Sequence, residues 1–195
     1  TAWTIISSKS YVSSPEKLAS NQKAYFLPKT KKGIQSTSIS QLTDTSSKTA
    51  FVNIFASNVM GWDTAYVYNG KKYYFSGMDW LRSFVSQCNA KGIQVTAQIS
   101  LDKSYNTQSL ITGSAYSDTA YYGWNTSKSS SRQTMEAMFA YLGTIFGDNS
   151  CYVSNWILGN EINSASRYYC LGNVSFSKYM SMYSEAFRCL YNAVR

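Results

Sequence analysis

An α/β fold with a parallel sheet is what this sequence predicts, on three observations. Apolar periodicity switches from strand to helix spacing four times along the chain, and that alternation calls for parallel strands joined by right-handed crossovers. One strand alternates apolar and polar residues without a break, so it has a hydrogen-bonding face as well as a core face. No glycine-rich GxGxxG or GxxxxGKS/T turn follows the first strand, which disfavours an open doubly wound sheet. The (β/α)8 TIM-barrel type remains, with only about the first four βα units present, because a complete barrel needs roughly 250 residues and the chain has 195.

Residues 1–32 read as an N-terminal leader packing on the barrel, and residues 33–195 as the half-barrel itself. Gly33 to Ser38 is the first strand, and the Ser/Thr-rich segment Ile39 to Thr49 has room for one or two helical turns. Ala50 to Ala56 is a buried strand, with Val52, Ile54 and Ala56 on one face and Phe51, Asn53 and Phe55 on the other. Met78, Leu81, Phe84, Val85 and Cys88 recur at helical spacing, and Gly92 supplies a left-handed stop. Ile93 to Asp102 is the alternating strand, followed by a helix from about Ser131 to Phe146. Val153 to Glu161 is the fourth strand, and a last helix from Phe176 to Val194 has Ser175 as its N-cap.

The apolar fraction of 44% is ordinary for a folded domain, while charged residues at 14% fall well below the usual quarter. Ser, Thr, Asn, Gln and 17 tyrosines supply the polar surface instead, a composition associated with secreted sugar-handling proteins. Secretion or display at the cell surface is therefore the expected localisation. The chain opens on Thr1 rather than Met, so a segment removed upstream is expected as well. A net charge of +8 would suit nucleic acid if its cations were clustered. They are scattered except for Lys29, Lys31 and Lys32, and Lys71 with Lys72, which read as a solvated face, so no nucleic-acid partner is expected. No stretch approaches the ~20 apolar residues of a membrane span.

Cys88, Cys151, Cys170 and Cys189 show no CxxC spacing and the chain has no histidine, so neither a metal, a cofactor nor thiol catalysis is expected. The cysteines are either buried thiols or, in an exported protein, one or two disulfides. Parallel geometry puts Cys151 at the bottom of the fourth strand and Cys189 about 20 Å down the returning helix, where the two could be neighbours.

The chemistry concentrates in Asn155-Trp156-Ile157-Leu158-Gly159-Asn160-Glu161, an apolar strand ending in a carboxylate at the rim where barrel enzymes hold their chemistry. A carboxylic acid there can protonate a glycosidic oxygen, and Asn160 can hydrogen-bond a sugar hydroxyl as the transition state develops. This phrase resembles the fourth-strand motif of clan A glycoside hydrolases. From about Lys31 onward the chain is similar to an uncharacterised family of bacterial glycosidase-like barrel domains, through Lys32-Gly33-Ile34-Gln35, Tyr68-Asn69-Gly70-Lys71-Lys72-Tyr73-Tyr74-Phe75 and Gly159-Asn160-Glu161-Ile162-Asn163. The resemblance implies hydrolysis of O-glycosidic bonds in a polysaccharide or oligosaccharide by a retaining mechanism. Glu161 would be acid/base, Asn160 and Asn163 would touch substrate, and the nucleophile would lie on a seventh strand in a C-terminal half outside this sequence. The sequence departs from better-known members at Ile162, where cellulase-like relatives often carry Pro, and at Ser57-Asn58, where an Arg is usual.

Asn53 on the second strand and Gln98 and Asp102 on the third share the polar parity, so they either line the pocket or knit the interior by hydrogen bonds. Residues Lys103 to Ser130 are too long for an idle connection and form a candidate binding loop. Trp124 is its first candidate as a sugar platform, with Tyr116, Tyr121 and Tyr122 behind it, and Tyr168, Tyr169 and Trp62 elsewhere. A barrel that binds carbohydrate without cleaving it is the competing reading.

Overall fold

The computed structural model describes residues 28–30 and 32–194. The leader expected over residues 1–32 lies almost wholly outside them. The elements follow as β1 (Gly33–Gln35), α1 (Ile39–Asp44), β2 (Thr49–Phe55), α2 (Ala56–Val59), β3 (Met60–Tyr68), β4 (Lys71–Phe75), α3 (Asp79–Ala90), β5 (Gln94–Ser100), α4 (Ser129–Ile145), β6 (Gly147–Asp148), β7 (Cys151–Tyr152), β8 (Asn155–Leu158) and α5 (Phe176–Val194). A single 3-10 turn, Gln108–Leu110, interrupts the long connection before α4.

Four strands pair in the order β1-β2-β5-β8, all parallel, so each main strand lies beside the previous one in chain order. The protein is thus of the α/β class. The register sets Asn53 opposite Gln98 and Phe55 opposite Ser100, and then Gln98 opposite Ile157. One face of the sheet is apolar, with Ala50, Val52, Ile54, Val95, Ala97, Ile99 and Leu158 in the core and Ile34 and Trp156 partly buried against it. The other carries Phe51, Asn53, Phe55, Thr96, Gln98 and Asn155, all partly exposed, and Ile157, 40% exposed.

Helix α3 ends as the sequence predicts: Gly92 adopts φ +64, its N–H reaches the Asn89 carbonyl and that of Ile93 reaches Cys88. These two bonds make a Schellman motif and satisfy carbonyls the helix leaves over. Ser175 caps α5, its hydroxyl accepting from Lys178 N–H at 3.3 Å. Helices α4 and α5 cross tightly at Gly143, where an added Cβ would run into the Ala193 carbonyl.

Met60–Tyr68 and Lys71–Phe75 form an antiparallel hairpin between α2 and α3, a stretch to which the sequence reading assigns no element. Its turn is Asn69-Gly70, both at positive φ (48° and 74°), the pairing that a two-residue type I′ connection requires. The hairpin rests on α4: Tyr66 and Phe75 pack on the Tyr141 ring, and the Tyr141 hydroxyl donates to the Ser76 carbonyl at 2.7 Å.

All four cysteines are free and buried. The Cys151 thiol donates to the Arg82 carbonyl on α3, whereas that of Cys189 donates to Glu136 on α4, so the two face different helices. Among the described residues no helix is long and apolar enough to cross a membrane.

Candidate functional site

Parallel pairing brings the ends of β2, β5 and β8 to one rim, and the residues just beyond them are those with chemistry. After Leu158 the ladder continues for one bond, from Gly159 N–H to the Ile99 carbonyl at 2.7 Å. The chain then turns sharply, with Gly159 at φ +76 and Glu161 at φ +41. Gly159 is demanded twice, because an added Cβ would also sit 2.6 Å from Cδ2 of Tyr169. The Glu161 carbonyl accepts from Ser164 N–H at 2.7 Å, and the Ser164 carbonyl accepts from Arg167 and Tyr168.

Glu161 is exposed on this rim, with Asn160 partly exposed beside it and Asn163 exposed. A glutamate in the left-handed region is disfavoured by about 1 kcal/mol or more, and such outliers concentrate at functional sites. Beneath the turn the Tyr179 hydroxyl donates to the Ile162 carbonyl at 2.5 Å. Burial pushes the Tyr179 phenol up to about 12, so it stays a neutral donor.

Asp102 also stands on the rim, but its carboxylate is engaged. Oδ1 accepts from Ser57 N–H at 2.9 Å, an amide in the first turn of α2 that has no helical partner. Thr107 Oγ1 donates to the Asp102 carbonyl at 2.6 Å, and Asn106 donates to the carbonyls of Ser57 (3.1 Å) and Met60 (2.6 Å). Asp102 and Asn106 together fasten the end of β2 to the end of β5. Nothing in the spacing of the sequence singles out Asn106.

On the partly exposed sheet face, Gln98 donates to Ser100 Oγ at 3.3 Å. Its neighbour Asn53 has a buried Oδ1 that accepts no hydrogen bond among the described residues. A hollow of about 330 Å³ bounded by Gln35, Thr49, Phe51 and Thr96 lies toward the amino ends of these strands, away from Glu161.

The aromatic residues divide. Trp124 is 1% exposed and edge-on to Phe139 at 5.1 Å, so its ring is a core element and offers no face to a sugar. Tyr122 and Tyr169 are buried too, at 3% and 0%. What the long connection brings to the rim is Tyr121, stacked on Phe55 at 5.9 Å and lying 6.4 Å from Tyr168. Arg167 lies over the Tyr168 ring, 5.5 Å from its centroid. Phe55, Tyr121 and Tyr168 are each partly exposed and form a strip from the end of β2 to the loop after β8. Trp62 is 79% exposed but sits on the β3–β4 hairpin. Among the described residues no three His, Cys, Asp or Glu side chains gather to hold a metal.

The fold and rim thus define an α/β protein with a parallel sheet and a single exposed carboxylate at its carboxyl-end turn. The chain belongs to a family of unknown function (DUF5722), which it matches over residues 24–195. No curated protein and no solved structure matches it.

Proposed function

We propose that the four-stranded sheet is the first half of an eight-stranded barrel and that the protein is glycoside hydrolase-like, working on a polysaccharide or oligosaccharide outside the cell. The observation that carries this reading is the place of Glu161, exposed at the carboxyl end of the fourth parallel strand in a strained turn. In a retaining mechanism such a residue protonates the leaving oxygen and then activates the water that releases the sugar. A second carboxylate about 5 Å away must attack the anomeric carbon. In this reading it comes from residues outside the present sequence, while Asn160 binds a hydroxyl next to the reacting centre.

The test is a broad glycan screen on the protein carrying both halves, repeated with Glu161→Gln. General acid catalysis is worth roughly 10²- to 10⁴-fold, so the variant should lose that much of kcat. Cleavage that survives the substitution would remove Glu161 from the reaction.

A second reading, a barrel that binds carbohydrate without cleaving it, is favoured by the partly exposed strip Phe55–Tyr121–Tyr168, which offers rings to a sugar and needs no second carboxylate to do so. Saccharide binding with no hydrolysis by the two-halved protein would decide for it.

A further inference from the structure

Arg167 is placed with unusual care for an exposed arginine. Its carbonyl accepts from Ala120 N–H (3.0 Å), Tyr121 N–H (3.1 Å) and Thr119 Oγ1 (2.6 Å), which fixes its backbone against the loop that carries Tyr121. Its guanidinium lies on the Tyr168 ring, at the end of the Phe55–Tyr121–Tyr168 strip. The ion-paired arginines among the described residues are Arg82 and Arg132, and no described acidic side chain forms an ion pair with Arg167.

We propose that this rim takes an acidic saccharide, a uronate, with the aromatic strip against the sugar faces and the Arg167 guanidinium on the sugar carboxylate. The proposal rests on the carbohydrate reading above and adds the class of sugar. Partly exposed rings offer flat apolar surfaces to the C–H faces of a pyranose, as in other small-molecule sites where apolar walls carry a few placed polar groups. A guanidinium presents a planar fork that matches a carboxylate in two parallel hydrogen bonds, which an ammonium cannot do. Its contact with the Tyr168 ring restricts its rotamers before a ligand arrives, so less freedom is lost on binding.

The experiment measures binding of the 195-residue chain, by calorimetry at low salt, to oligosaccharides of galacturonate, glucuronate and mannuronate and to the methyl ester of each. At least one free acid should bind roughly tenfold or more tightly than its ester, the difference a charge-assisted pair makes. Arg167→Gln should bring acid and ester to the same affinity by weakening the acid alone. Arg167→Lys should restore only part of the preference, and Tyr121→Ala should weaken both ligands. Circular dichroism checks that each variant is folded. Equal affinity for acid and ester, a preference that survives Arg167→Gln, or no binding to any member of the panel would overturn the proposal. Glu161-dependent cleavage of a neutral glycan in that event would leave the glycosidase reading standing.

Discussion

Replacing Gly159 by alanine strains the turn before Glu161 in two separable ways. The backbone at φ +76 disfavours any Cβ by about 1–2 kcal/mol. The new methyl would also stand 2.6 Å and 2.8 Å from Cδ2 and Cε2 of Tyr169. That ring is 0% exposed and packed edge-on against Tyr179 (5.9 Å) and Tyr183 (5.3 Å), so it has little room to retreat. Overpacking of this kind costs about 1–3 kcal/mol, giving about 2–5 kcal/mol together. Gly70 is the internal control, since at φ +74 with nothing within 4 Å of its virtual Cβ it carries only the backbone part. In urea melts with a slope of about 2 kcal/mol/M, Gly159→Ala should lower the midpoint by about 1–2.5 M and Gly70→Ala by about 0.5–1 M. Adding Tyr169→Leu should relieve part of the Gly159→Ala loss but none of the Gly70→Ala loss. Equal shifts for the two glycines would refute the claim that the Tyr169 ring shapes the turn.

Three further outcomes follow from groups away from the rim carboxylate. Burial pushes the thiols of Cys88 and Cys189 up from 9.0 to about 12 and the Tyr179 phenol up from 10.0 to about 12. The unfolded chain therefore releases these protons first, so stability holds below pH ~9 and falls as pH rises from there through 12. Urea midpoints measured from pH 7 to 11 should show the decline, and Cys88→Ala should flatten it; an unchanged midpoint would contradict it. Asp102→Ala should cost about 1–3 kcal/mol by stranding Ser57 N–H, read as a thermal midpoint lowered by about 2–4 °C per kcal/mol. If Asp102 served only as a ligand contact, that midpoint would not move. Gly143→Ala should cost about 1–3 kcal/mol, read the same way as a lowered thermal midpoint, because the α4–α5 contact must open to clear the Ala193 carbonyl.

The parallel sheet was legible because its signals are local and redundant. In β2 and β5 every second residue is apolar, and the Gly92 stop and Ser175 cap bracket amphipathic helices. The hairpin is announced by Asn69-Gly70 alone, because the run before it does not alternate cleanly and Lys71-Lys72 carries the signature of a solvated face. Trp124 shows what sequence cannot weigh: in a polar, turn-rich segment a tryptophan reads as a surface platform, yet Phe139, fifteen positions on, draws it into the core. Arg167 and Asn106 carry no periodicity, and only the meeting of loops from β2, β5 and β8 gives them meaning. The position of Glu161 needed no such context, because an apolar strand, a glycine and a polar pair already mark where a parallel strand ends.

The pairing of every main strand with the one before it also sets an order of assembly. Ladder partners are separated by 16 residues between β1 and β2, by 45 between β2 and β5 and by 59 between β5 and β8. Closing the longest of these segments costs only about 1 kcal/mol more than the shortest, so the sheet extends at one edge without a steep barrier. A chain emerging from the ribosome can dock each βα unit on a finished neighbour, as domains do when their N-terminal parts fold first. The turn that bears Glu161 follows the last of these strands, so its geometry is inherited from strands already in place before α5 closes on it through Tyr179.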